Sequence, residues 1–100
     1  MAPARDALLA AVFFLSAATL CLADEVEDGR SLYHELCANC HGRDMANPGL
    51  AFDLRKFPRS DAERFFNAVL NGKGSAMPPW KEQLSPQDIQ AVWAYVKSGG

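Results

Sequence analysis

The chain is poor in the features that mark most of the larger functional classes. It has three cysteines in 100 residues. One sits in an N-terminal segment expected to be removed and two share a short motif, so no structural disulfide can form, although an exported protein could carry one. Basic residues are outnumbered, ten Lys and Arg against twelve Asp and Glu, for a formal net charge of −2. No basic stripe with interleaved aromatics is present either, and both facts argue against a nucleic-acid partner. No segment alternates apolar and polar residues long enough to read as a strand, which points to an all-α fold. Internal repeats and low-complexity tracts are absent. A chain of this length holds one domain with limited surface to bury.

A long membrane-spanning run is also missing. Ala7 to Leu22 is apolar or small throughout, but it falls short of about 20 residues and lacks a strong stop-transfer cluster. A positive charge precedes it at Arg5, and Asp24, Glu25, Glu27 and Asp28 follow it. That layout predicts a secretory signal peptide over residues 1–23, cleaved after Ala23, with the folded domain over 24–100. An uncleaved anchor is the rival reading. Cys21 follows Leu20, which is bulkier than a lipobox tolerates, and is read as an apolar residue of the discarded segment. Cleavage leaves nine basic and eleven acidic residues. The N-terminus is acidic and a mid-chain loop basic, a dipole suited to steering encounters with charged partners.

What the chain does have is Cys37-Ala38-Asn39-Cys40-His41. Two thiols three positions apart on one helical turn can reach both vinyl groups of one porphyrin, and the histidine after them falls under the iron. Imidazole supplies a neutral nitrogen donor that iron accepts well. A Cys-x-x-Cys pair also occurs in redox dithiols and half zinc sites, and those alternatives stand at this point. Thirty-six positions after His41 lies Met77, within Gly72-Lys73-Gly74-Ser75-Ala76-Met77-Pro78-Pro79-Trp80. Glycines before it allow close approach to a flat ligand and prolines after it stiffen the backbone. A lone Met is usually core filler. A thioether held opposite an imidazole is nonetheless a recognised haem-iron pair that raises the potential. Met45 is four residues from His41 and so belongs to the proximal side.

With these motifs the chain resembles a small class I, mono-haem cytochrome c from about Val26 to Ser98. Gly29 and Tyr33, eight and four residues ahead of Cys37, match the glycine and aromatic that let the first helix cross the last one closely. Val92 and Tyr95 stand where the last helix carries an aliphatic and an aromatic residue. The resemblance implies the cytochrome c fold: about three main helices wrapped around one covalently attached haem c. It also implies a Pro48 carbonyl as acceptor for the His41 Nδ1–H, although Asn47-Pro48-Gly49-Leu50 departs from the usual Gly-Pro-Leu.

The pattern predicts a first helix from about Val26 to Ala38, carrying Leu32, Tyr33 and Leu36 on one face. Arg43 to Ser60 reads as loop, given Asn47-Pro48-Gly49 and Phe57-Pro58. A second helix starts from Ser60 or Asp61, buries Phe65, Phe66, Val69 and Leu70, and stops at Gly72 after Asn71. Ser85-Pro86-Gln87-Asp88 starts a third, with Ile89, Val92, Trp93 and Val96 toward the core. His34 reads as a solvated surface histidine. Trp80 either packs or reaches a haem propionate through its indole N–H. Arg55, Lys56 and Arg59 read as a solvated basic stretch, or as partners of the propionates.

A covalent haem would also brace a mature chain of about 77 residues, near the size at which small folds need a staple. The functional expectation is a periplasmic electron carrier cycling Fe(III)/Fe(II), with Cys37 and Cys40 as anchors and His41 and Met77 as axial ligands. No acid/base pair is arranged for catalysis. The alternative is a haem enzyme or gas sensor with a labile distal ligand. The loop from Asn47 to Pro58 is similar to loops in small cytochromes c associated with periplasmic quinoprotein dehydrogenases. The expected partners are therefore a dehydrogenase donor and an acceptor such as a terminal oxidase, with no stable membrane insertion after cleavage.

Overall fold

A computed structural model describes residues 22–100. The proposed signal segment, with Cys21, lies outside the described residues except for its last two positions. Helix α1 covers residues 22–36, and after a break at Cys37 a single turn, α2, follows at Ala38–His41. The helix thus ends before the expected Ala38. Cys37 is a turn residue with its φ widened to −113° and ψ −29°, and helix resumes at Ala38. At the other end α1 runs back past Val26, because Leu22 to Glu25 contains no breaker.

The expected loop between residues 43 and 60 contains two short 3-10 turns, Arg43–Met45 and Leu54–Lys56. In the second, the Asp53 carboxylate accepts the Arg55 N–H at 3.0 Å, a local bond that makes a turn without apolar periodicity. Helix α3 spans Ala62–Asn71 and is capped by Asp61, whose carboxylate accepts the Arg64 N–H at 3.2 Å. Phe65 and Val69 are its buried face, and Phe66 and Leu70 are half-buried beside them. Helix α4 spans Pro86–Ser98 behind a complete capping box between Ser85 and Asp88. Among the described residues there is no strand, only an isolated bridge between Lys73 and Met77. Nor is any helix among them long and apolar enough to cross a membrane.

Two contacts set the frame. Helices α1 and α4 cross backbone to backbone at Gly29, where an added Cβ would sit 1.8 Å from the Ala91 carbonyl oxygen. One turn later Tyr33 is fully buried, its ring 5.2 Å from that of Tyr95. The Tyr33 hydroxyl donates to the Gly42 carbonyl just beyond α2, and burial pushes the phenol up to about 12. Helix α3 joins the pair through Phe65, stacked 4.7 Å from Trp93 of α4. Gly29→Ala should cost about 1–3 kcal/mol or more, because the obstacle is helix backbone and cannot rotate aside. Thermal unfolding of the haem-loaded protein should show it as a loss of about 4–8 °C per kcal/mol.

Candidate haem site

The end of α1, the α2 turn, α3 and the loop before α4 enclose an apolar cavity. It holds about 900 Å³ of non-protein space, part of it open to solvent. Cys37 and His41 line it from α2, and Met77 lines it from the loop. Phe57, Phe65 and Val69 supply much of the remaining wall. A second opening adds Cys40, Leu50 and Pro78 and again includes Cys37, His41 and Met77. The two openings therefore flank the same three side chains. The backbone explains the first two: the His41 N–H donates to the Cys37 carbonyl at 3.0 Å, so one helical turn carries both.

His41 is oriented. Its Nδ1 lies 3.0 Å from the Phe52 carbonyl oxygen, which can only accept. Nδ1 therefore carries the proton, leaving Nε2 with a free lone pair for a metal. The acceptor is not the expected Pro48 carbonyl. Asn47 Oδ1 accepts the Gly49 N–H at 2.9 Å and Asn47 Nδ2 donates to the Ala51 carbonyl at 2.9 Å. That side-chain turn leaves Pro48, Gly49 and Leu50 exposed and presents the Phe52 carbonyl to the ring. The glycine that interrupts the family's Gly-Pro-Leu pattern was the visible warning.

Met45 is fully buried in the core and lines neither opening, whereas Met77 lines both. Trp80 is half-buried, packs on the core and lines the same space. His34 is not the free surface histidine expected: its Nε2 lies 3.0 Å from Asp44 Oδ1, and Asp44 is also within reach of the Tyr95 hydroxyl at 3.4 Å. Two of the three basic residues are likewise engaged elsewhere. Arg55 donates to the Asp44 carbonyl at 2.9 Å and Arg59 to the Lys97 carbonyl at 3.0 Å. The cations that line the cavity are Arg64 and Lys73, and Arg64 lies 4.9 Å over the Phe57 ring. Sequence reading missed both as site residues. Lys73 could have been found, since it lies inside the glycine-flanked loop already linked to Met77.

The donor set suits haem better than its rivals. Burial pushes the Cys37 thiol up to about 11, the reverse of the depressed thiol that a redox Cys-x-x-Cys uses. No group of three or more His, Cys, Asp or Glu among the described residues is gathered for a metal ion. One imidazole, one thioether and two thiols around a flat apolar space fit an iron porphyrin.

The profile of the family described as cytochrome c oxidase, cbb3-type, subunit III matches residues 24–96. The chain belongs to the small mono-haem cytochrome c family. It is 33% identical over 91 residues to cytochrome c6 of Nostoc, covering 86% of this chain and 81% of that protein. Cytochrome c6 of Microcystis aeruginosa is 36% identical over 74 residues, covering 69% of this chain and 90% of the relative. A quinohemoprotein alcohol dehydrogenase, ADH IIB of Pseudomonas putida, is 34% identical over 77 residues, which cover 75% of this chain but only 11% of that enzyme. No solved structure matches. As a cytochrome c domain, the chain carries one covalently attached haem c and transfers electrons. Cys37→Ser and Cys40→Ser should each impair covalent attachment, seen as weakened haem staining after denaturing electrophoresis. Full staining of both variants would remove the two thiols from the anchor.

Proposed function

We propose that this cytochrome is a periplasmic electron carrier in which Cys37 and Cys40 hold the haem as thioethers and His41 and Met77 are its axial ligands. The observation that carries this is the shared placement of Cys37, His41 and Met77 on both openings of one apolar space. When bound, the haem supplies a one-electron Fe(III)/Fe(II) couple. His41 offers Nε2 because Phe52 holds the proton on Nδ1. Met77 offers a soft thioether, which favours Fe(II) and raises the potential. Phe57, Phe65 and Val69 keep water from the wall they form, and the low local dielectric strengthens every charge interaction there. Arg64 and Lys73 are placed to neutralise propionates.

Leu50 and Phe52 are 74% and 51% exposed and flank the opening that contains Cys40. They give the face an apolar rim where a redox partner can exclude water. The match to a segment of a quinohemoprotein alcohol dehydrogenase supports a quinoprotein dehydrogenase as donor. The match to an oxidase-subunit family supports a terminal oxidase as acceptor. With residues 1–23 as a cleaved signal, the domain is 24–100, and the family match begins at Asp24.

Met77→Ala should abolish the weak near-infrared charge-transfer band and open the iron to cyanide. Its potential should fall by at least about 59 mV, a tenfold change in a one-electron equilibrium. Met77→His should remain six-coordinate and low-spin, yet also fall. A Met77→Ala spectrum and potential identical to the parent's would remove Met77 as ligand. Separately, protein from the native host should begin at or near Asp24 and lie outside the inner membrane. Intact mass including Met1–Ala23 would favour an anchored form.

A further inference from the structure

We propose that Gly72 is the positioning residue for Met77: the missing side chain at 72 lets the Met77 segment fold back against the end of α3. This rests on the reading of Met77 as distal ligand. Gly72 has φ 75° and ψ −176°, a region that is essentially glycine-only. An added Cβ would lie 2.4 Å from the Met77 carbonyl oxygen and 2.9 Å from backbone atoms of both Pro78 and Pro79. All three are backbone atoms, and two belong to prolines whose φ is fixed, so the obstacle cannot turn aside.

The same carbonyl is the anchor of the loop. The Lys73 N–H donates to the Met77 oxygen at 2.9 Å and the Met77 N–H donates to the Lys73 oxygen at 3.3 Å. Beyond the prolines, the Trp80 N–H donates to the Val69 carbonyl at 2.8 Å. That carbonyl is among the last four of α3, which have no partner within the helix. The segment from Met77 to Trp80 is thus hung on the same helix end that supplies Val69 to the cavity wall. A Cβ at residue 72 would push directly on its first hydrogen-bonded atom.

Ending α3 does not by itself require this backbone. Gly99 ends α4 in the ordinary left-handed form, at φ 92° and ψ 7°. Gly74 provides the internal control. It is in the same loop with φ 56°, yet an added Cβ there would meet nothing within 4 Å. Alanine at either position carries positive-φ strain, but only alanine at 72 strikes the Met77 segment.

The test compares Gly72→Ala, Gly74→Ala, Met77→Ala and the Gly72→Ala/Met77→Ala double variant. All are produced with covalent haem in a host carrying haem-ligation machinery. External cyanide binds ferric iron only when Met77 is off, so its apparent affinity reports the Met-off population. Gly72→Ala should lose near-infrared band intensity and bind cyanide about tenfold more tightly or better, the factor equal to 1.4 kcal/mol of lost loop preference. Gly74→Ala should stay within about threefold of the parent, and Gly72→Ala should add no change in the Met77→Ala background. Parent-like band and cyanide affinity in Gly72→Ala, alongside a lost band in Met77→Ala, would overturn the role of Gly72 alone. An unchanged Met77→Ala spectrum would instead overturn the ligand reading beneath it. A Gly72→Ala chain that yields no mature haem protein in either background also overturns the inference, since Gly72 would then serve folding and not Met77.

Discussion

Everything in this small protein hangs on one backbone contact, the crossing of α1 and α4 at Gly29. With no side chain at 29, the first helix comes close enough that its position along α4 is fixed by main-chain atoms. Side-chain packing can slide by rotamer changes, but two helix backbones in contact cannot. One turn on, Tyr33 converts that fixed crossing into a fixed cavity: it packs on Tyr95 and its hydroxyl holds the Gly42 carbonyl at the exit of α2. The motif that carries Cys37, Cys40 and His41 therefore lies between two points that the crossing has already set. Helix α3 then needs only the Phe65–Trp93 contact to close the far wall.

A cavity lined this way is apolar, and that determines how its few polar groups must behave. A buried polar atom without a partner is costly, so the site carries little spare hydrogen-bonding capacity. The one imidazole has its outer nitrogen satisfied by a backbone carbonyl, which leaves the inner one defined. Arg64 stays exposed with its guanidinium over the Phe57 ring, a cation–π contact at the edge of the cavity. Lys73 also lines the cavity, and a further group of charges clusters around Asp44. His34, Asp44 and Arg30 make a polar cluster behind α1, with Arg55 joining through the Asp44 carbonyl. Asp44 and Met45 both have positive φ, a conformation costly for residues other than glycine. That cluster is what holds the turn after His41 in place.

The helices were legible in the amino-acid order because each leaves a local mark. Ser85-Pro86 with Asp88 predicts a capped helix start, and the capping box is there. Asp61 and Gly72 bound α3 as read. Cys37 and His41 were expected on one helical turn, and the His41 N–H does donate to the Cys37 carbonyl. The misses share the opposite character. The acceptor for His41 is Phe52 and not Pro48 because Asn47 closes its own turn through its side chain, a choice that periodicity does not reveal. His34 was read as free because its partner, Asp44, is ten residues on and presented only by a strained turn. Arg55 and Arg59 are exposed, in line with the reading as a solvated stretch, and bond carbonyls of other elements, which the second reading as propionate partners did not foresee.

The two candidate iron ligands reach the cavity by different routes. His41 is one helical turn from Cys37, the proposed anchor, so little chain entropy would separate anchor from ligand. Met77 comes from 36 residues away, and its approach depends on a loop whose ordering must be sustained by contacts made after folding. The chain lowers that cost with two consecutive prolines, which restrict the loop before it binds anything. It also ties the loop to α3 through the Trp80 N–H on the Val69 carbonyl, beside the packing of Met77 and Trp80 on the core. Such a loop still has fewer independent constraints than the helical turn that carries Cys37 and His41. On the proposed ligation, the loop from Gly72 to Trp80 is where changes of sequence would bear most directly on the iron's sixth position.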